Sequence, residues 1–184
     1  EVMKLSRTGH TAWTLTEVSF TDGPYLATNS TDTTLTPQQT GTGTGKTITA
    51  SAITGINGGV GWLATDVGRI LKFNSGKAII TARTNATVAV ATITTAFTNT
   101  DATAAFNLGA FSNTTGFPSC VSFFEQRLVF AGTTDEPQTL YFSKSGDYEN
   151  MTTGTNADDA MVYTIASNQV NKIRYLKAVR TLLI

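Results

Sequence analysis

Along much of the chain apolar residues recur at every second position, the spacing that places them on one face of a strand. Trp13-Leu15 and Val18-Phe20 alternate with Thr and Glu, and Phe20 runs into the turn sequence Thr21-Asp22-Gly23-Pro24. That pattern predicts one or more strands over residues 1–20, ended by the turn. A stretch rich in Thr, Asn, Ser and Gly follows to Gly45, with Leu26 and Leu35 its only aliphatic residues larger than Ala. It predicts an extended loop or short edge strands. From Lys46 to Phe106 the runs ITASAI, RILKF, KAIITARTNATVAVATITTAF and TAAFNL are separated by Gly and Asn. Ala82, Ala86 and Ala89 permit a helical reading, but Thr and Val crowd the same window and the period is nearer two. Such spacing predicts a small barrel or sandwich of about five or six strands.

A second pattern begins near Phe117-Pro118. VSFFEQRLVFAG, QTLYFSKSG, AMVYTIAS and NKIRYLKAV carry aromatic and β-branched residues and are joined by turns rich in Gly, Asp, Asn and Pro. Strand, turn, strand at short spacing without intervening helices predicts an antiparallel meander such as a propeller blade. Composition shifts between Ser112 and Gly116, from Thr and Ala to aromatic and charged residues. The expected organisation is therefore strands of a preceding β unit over 1–20, an inserted barrel or sandwich over 21–112, and a propeller-like sheet over 113–184. The fold class is all-β.

Composition strengthens this reading. Thr supplies about a fifth of the 184 residues, and only 14% are charged. Thr is β-branched and stiff at χ1, so it suits pleated strands and weakens helices. The formal net charge is zero, so no global field draws nucleic acid or anionic membrane. The largest basic cluster, Lys172, Arg174, Lys177 and Arg180, alternates with apolar residues and predicts the solvated face of a strand. A single cysteine, Cys120, excludes an internal disulfide and a Cys-based zinc site. Within PSCVSFF it reads as a small buried hydrophobe rather than a nucleophile. One histidine, His10, leaves no partner for a multi-His metal site. No stretch reaches the roughly 20 apolar residues of a membrane span, and no signal peptide opens the chain. The first residue is Glu and the last run, AVRTLLI, carries no turn or polar cap, so the chain is expected to be part of a longer protein.

Three motifs invite chemistry. GTGTGKT, Gly41 to Thr47, resembles a phosphate-binding loop, but Thr40 stands where the pattern needs Gly. A strand-forming sequence follows it instead of the helix whose N-terminus would meet the phosphates. A flexible hairpin or connector is the simpler expectation. Asn29, Asn85, Asn113 and Asn150 each begin N-x-[ST], which chance explains in so Thr-rich a chain. Glu125, Asp135, Glu136, Asp147, Glu149, Asp158 and Asp159 are candidates for a glycosidase pair, which needs two carboxylates facing across about 5–10 Å. Asp158-Asp159 lack the spacing of a dedicated calcium loop. One His and one Cys offer no nucleophilic triad. No catalytic residue, cofactor or metal is assigned.

The string FPSCVSFFEQRLVFAGTTDEPQTLYFSKSGDYENM resembles a stretch of the tail tubular protein B, or nozzle, family of tailed bacteriophages and related tail hub and stabilisation proteins. The shared positions are Phe117-Pro118, Gln126-Arg127-Leu128, Phe130, Gly132, Pro137-Gln138-Thr139, Ser143, Gly146-Asp147-Tyr148 and Asn150; Cys120 and Val121 are variable ones. The following DDAMVYTIASNQVNKIRYL resembles that family's next stretch. FTDGPYLATNSTDTTLTP with ITASA and DVGRIL resembles a β-domain inserted in many prophage versions.

The resemblance implies a non-enzymatic virion protein, assembled in the bacterial host cytoplasm and located in the phage tail. It implies a homo-oligomeric ring below the portal and adaptor, contacts with neighbouring tail, adaptor or portal proteins, and transient non-specific contact with ejected DNA. The residues themselves suggest how the motif serves a blade. Arg127, beside Leu128-Val129-Phe130, is expected to tie adjacent loops through backbone carbonyls or Asp147. Gly132 and Gly146 permit turns of positive φ. Tyr141 and Phe142 point to opposite faces. A charge-poor conduit also avoids gripping DNA. The alternative is a glycan-binding or glycan-degrading adhesin of tailspike type, using aromatics such as Trp62 or Tyr148. A bacterial surface or pilus-type β-domain is a third possibility.

Overall fold

The computed structural model describes residues 1–166, 171–178 and 182–183. It is all-β, 42% strand and 3% helix, as the Thr-rich composition and period-two alternation predict. The strands are β1 (Met3–Arg7), β2 (Trp13–Glu17), β3 (Leu35–Pro37), β4 (Gly43–Ala50), β5 (Ile70–Phe73), β6 (Gly76–Arg83) and β7 (Val88–Thr95). They continue as β8 (Asn107–Leu108), β9 (Cys120–Phe124), β10 (Arg127–Ala131), β11 (Thr139–Phe142), β12 (Met161–Thr164), β13 (Lys177–Ala178) and β14 (Leu182–Leu183). The chain divides into two compact units, one from Tyr25 to Thr114 and one joining Glu1–Pro24 to the chain from Thr115 onward.

The 25–114 unit is a curled, half-barrel sheet in the order β3-β4-β7-β6-β5-β8, antiparallel throughout. Alternation writes its core: Leu71, Phe73, Ala78, Ile80, Ala89, Ala91 and Ile93 are buried, while Lys72, Lys77 and Thr92 between them are partly exposed. Leu35, Ile48, Trp62, Phe97 and Phe106 complete the same cluster. Each fully buried aliphatic or aromatic side chain contributes about 1.5–3 kcal/mol. Register shifts at Lys77/Ala78 and Ile80/Ala82, and at Gly43/Lys46 on β4, bend the strands and so curl the sheet. Asn74 and Ser75, at φ 43° and 58°, make a tight two-residue turn between β5 and β6.

Two expectations change in this unit. GTGTGKT is not a flexible connector: β4 runs through it from Gly43, and the bulge, with Gly45 at φ 66°, absorbs the extra glycines. Of TAAFNL only Asn107–Leu108 is strand. Three of the four N-x-[ST] motifs, those at Asn29, Asn85 and Asn150, have a local use. Asn85 Oδ1 accepts from Thr87 N, Thr87 Oγ1 and Val88 N, closing the β6–β7 turn. Asn29 Oδ1 likewise accepts from Thr31 N and Thr31 Oγ1, and Asn150 Oδ1 from Thr152 N. These are Asx turns, which the Asn and Thr content of such loops favours.

The second unit holds a four-stranded antiparallel sheet, β12-β11-β10-β9, the two-stranded ribbon β1–β2 and the short pair β13–β14. One sheet face packs Val129, Ala131 and Leu140 against Ile173 and Leu176. VSFFEQRLVFAG is a hairpin rather than one strand, because Glu125 and Gln126 take φ 47° and 60° and reverse the chain. Val18–Phe20 lie beyond β2. NKIRYLKAV is mostly irregular: Ile173 and Leu176, three apart, are buried, and only Lys177–Ala178 is strand. Lys172, Arg174 and Lys177 therefore do not line one strand face, and Arg180 lies outside the described residues. So do Ser167 to Val170 of the expected stretch after β12. Cys120 is half-buried rather than buried, with its Sγ 3.4 Å from Ala131 O.

Candidate functional site: the Arg127 staple and the apolar rim

The β9–β10 turn delivers Arg127 into the sheet at the first position of β10. Its guanidinium is buried, and Nη1 donates to Ser143 O at 2.7 Å and Asp159 O at 2.6 Å. Nη2 donates to Ala157 O at 2.6 Å. A planar fork suits this task, since one rigid group spans carbonyls from two separate loops. The loops are bound to each other as well: Ser145 N donates to Asp158 O and Gly146 N to Gln126 O, both at 2.8 Å. Ser143 Oγ accepts from Leu128 N at 2.9 Å, and Ser143 N donates to Leu128 O at 2.8 Å. Asp147 takes no part in holding Arg127; it is exposed, and its N–H donates to Lys144 O at 3.2 Å.

The other motif positions spread around this staple. Gly132 has φ 74°, and a Cβ there would stand 2.5 Å from Ile173 O and from Ser119 Oγ, so the position excludes any side chain. Gly146, at φ 73°, faces open space. Phe117 and Pro118 are half-buried, and Pro137 O accepts from Ile173 N at 2.9 Å. Gln138 O accepts from Ile165 N at 3.1 Å, beside the hydroxyl pair Thr139–Thr164 at 2.8 Å. Phe130 is buried with Phe20 edge-on at 5.9 Å. Tyr141 is buried and its neighbour Phe142 half-buried on the other face. Leu128 is half-buried, Gln126 exposed.

The carboxylates are engaged locally. Lys144 Nζ lies 3.1 Å from Asp158 Oδ2 and 3.4 Å from Asp159 Oδ1, and Asp159 Oδ2 accepts from Asn156 N at 3.0 Å. Hydrogen bonding from Lys144 lowers the Asp158 carboxyl below its ordinary value, and the same bond raises Lys144. Glu136 Oε2 accepts from Thr139 Oγ1 at 2.9 Å, and Glu149 pairs with Lys4. Among the described residues no group of three or more His, Cys, Asp or Glu is placed to hold a metal ion.

Residues that alternation alone did not single out form an apolar rim. On β9, Val121 and Phe123 are 55% and 60% exposed, with Tyr148 packed edge-on against Phe123 at 5.1 Å. All four residues of β12 are exposed. The signal was present as aromatic density in both strands, but period two on an edge strand does not tell core from surface. A second missed feature lies in the DVGR segment. Asp66 and Arg69, both buried, pair at 3.0 Å; Asn57 Nδ2 donates to Asp66 Oδ2 at 2.7 Å, and Arg69 Nε to Gly109 O at 2.8 Å. Among the described residues no helix is long and apolar enough to cross a membrane. No family model matches the chain, and no curated protein matches it.

Proposed function

We propose that the protein is a structural component of a tailed-phage virion, a nozzle or hub subunit of the tail that works by assembly and not by turnover. The observation that carries the reading is how the motif that resembles that family's is used: Arg127, Ser143 and Gly132 are buried in backbone bonding and close packing, while apolar side chains are presented on the sheet rim. Residues used to lock loops, next to exposed Val121, Phe123, Val162 and Tyr163, suit a subunit whose surface is finished by neighbours. The four-stranded antiparallel sheet is read as a propeller-like blade, self-association as ring formation below the portal and adaptor, and the channel as the path of the ejected DNA. The glycan-adhesin alternative loses one of its two aromatics, since Trp62 is fully buried; Tyr148, at 43% exposure, remains.

Electron microscopy of the full-length protein, alone and in its virion, tests the proposal. Rings, or labelled density in the tail below the portal, are expected. A monomer absent from the tail would overturn it and bring glycan binding forward.

A further inference from the structure

Asn57-Gly58 is the chain's one Asn-Gly pair. Such a pair carries its own chemistry. The backbone nitrogen of the glycine can attack the side-chain carbonyl carbon of the asparagine and close a five-membered imide, and with no Cβ on the glycine little stands in the way. Here the pair opens the short 3₁₀ turn Asn57–Gly59, with φ 50° at Asn57 and 63° at Gly58. Gly58 is exposed, and a Cβ on it would meet nothing within 4 Å. Judged by exposure alone, this turn is labile.

The Asn57 side chain is held in the opposite sense. Its Nδ2 donates to Gly61 O at 3.0 Å and to Asp66 Oδ2 at 2.7 Å, and its Oδ1 accepts from Arg69 Nη1 at 2.6 Å. These anchors are fixed in turn. Asp66 and Arg69 are 1% and 0% exposed and pair at 3.0 Å, and Leu63 N donates to Asp66 Oδ2 at 2.8 Å. Ring closure makes Cγ tetrahedral and expels Nδ2. It must therefore break bonds to buried groups, which are costly to leave unmet.

We infer that Asn57-Gly58 is a deamidation site gated by opening of the 25–114 unit: the fold shields it, and the opened chain converts it irreversibly. The inference stands apart from the tail-subunit reading. In the open chain the bond from Gly58 N to Asn57 Cγ forms as the Cγ–Nδ2 bond breaks. Nδ2 leaves as ammonia, carrying the proton of the Gly58 N–H. Water then opens the imide, at Cγ to give aspartate at position 57 or at the backbone carbonyl to give isoaspartate; no oxidant or reductant takes part. The aspartate sets an acidic oxygen where Nδ2 donated, facing Asp66 Oδ2 and Gly61 O, so an attraction becomes a like-charge contact. The isoaspartate reroutes the main chain through the side-chain methylene and breaks the turn. Either way the unit recloses weaker than before, and one opening makes the next more frequent.

The test incubates the full chain in mildly alkaline buffer, folded and in urea, and follows conversion at position 57 by peptide mass spectrometry. Conversion is expected to be about tenfold or more faster in urea, because a shielded group reacts from its open population. Phe73→Ala, which weakens this unit's core, should raise the rate in buffer about tenfold or more and leave the rate in urea unmoved. Gly58→Ala, assayed in urea where no fold is at stake, should slow conversion about tenfold by crowding the attacking nitrogen. Chain converted in urea and refolded should melt about 5 °C or more lower than unconverted chain, as should Asn57→Asp, with Asn57→Ala losing less. Failure of the converted chain to refold is the same loss at its extreme. Equal rates with and without urea would overturn the gating, and a faster rate in the folded chain would mean that Arg69 activates the amide it holds. Melting indifferent to conversion would overturn the cost to the unit.

Discussion

The two units use the same alternation to opposite ends. The 25–114 unit closes on itself: its fifteen-residue buried cluster includes Trp62, Phe73, Phe97 and Phe106. Among the described residues the other unit's cluster has five buried members, with Cys120, Phe124, Phe142, Ile165 and Leu182 only partly covered. The described residues include 14 large exposed hydrophobics, and all but Ile53, Val60 and Val67 belong to this second unit. In the second unit β12 is an edge strand with all four residues exposed, whereas edge strand β3 of the first unit buries Leu35 and Pro37. The first unit is stabilised by its own packing and the second by a staple of polar bonds, with apolar surface left over.

The largest effect belongs to the closed core. Phe73 packs on Phe97 at 4.4 Å within the cluster. Phe73→Ala removes that stack and leaves a cavity, for an expected loss of about 3–5 kcal/mol. Urea unfolding followed by Trp62 fluorescence in a Trp13→Phe background reads it, because Trp62 is the tryptophan buried in this unit. A loss below about 1 kcal/mol would mean that the core repacks freely and is not the source of the unit's stability.

Arg127→Ala comes next, and acts on the other unit. It strips three charge-assisted bonds and orphans the carbonyls of Ser143, Ala157 and Asp159, for an expected cost of about 3 kcal/mol. The labelling rate of the sole cysteine, Cys120, measures opening of this unit. Arg127→Lys should rescue little, since a point ammonium does not span two loops. Full rescue would mean that charge, not the fork, holds them. A smaller contrast lies in the two motif glycines. Gly132→Ala meets Ile173 O and Ser119 Oγ as well as positive φ, and is expected to cost about 2 kcal/mol or more. Gly146→Ala, with the same φ and open space, should cost about 1 kcal/mol. Equal losses would show that backbone conformation alone sets the penalty.

Much of this was legible in the sequence, and the failures have physical causes. The all-β class follows from Thr content and from runs such as RILKF, where Leu71 and Phe73 point inward as period two requires. The β9–β10 turn stayed hidden because Glu125-Gln126 is not a pair that favours positive φ, and the sheet imposes that conformation. The first part of β4 stayed hidden because a glycine-rich run suggests freedom, yet a bulge can hold it within a ladder; the run beginning at Ile48 was expected as strand. Arg127 was expected to bind carbonyls or Asp147; which loops supply them depends on Ala157 and Asp159, thirty and more residues away, and no local pattern encodes that distance. The exposure of Leu5, Trp13 and Leu15 on β1–β2 was equally invisible, since alternation reports that two faces differ and not which one is covered.

The smallest expected effect is the pH dependence of the staple-bearing unit, and its sign can be worked out group by group. Burial pushes the Cys120 thiol above its ordinary 9.0, with Ser119 and Lys172 pulling partly back. Burial, then the charges of Glu136 and Asp135, hold the Tyr141 hydroxyl well above its ordinary 10.0. In both, the folded state keeps its proton after the unfolded state has lost it. Their contribution is full below the ordinary values and fades as pH rises through the folded ones. Lys144, raised by its bond to Asp158, behaves in the same direction, and Asp158, lowered by Lys144, adds stability that is lost as pH falls through its folded value. The expected profile is a plateau from about pH 5 to 8 with a decline above about pH 9. Melting of Cys120→Ser should show a later onset of that decline, and Cys120→Ser with Tyr141→Phe a shallower one. Lys144→Met should leave the plateau unmoved, because exposed pairs contribute little, and flatten the acid limb. An alkaline decline indifferent to both Cys120→Ser and Tyr141→Phe would place its origin in groups outside this sheet.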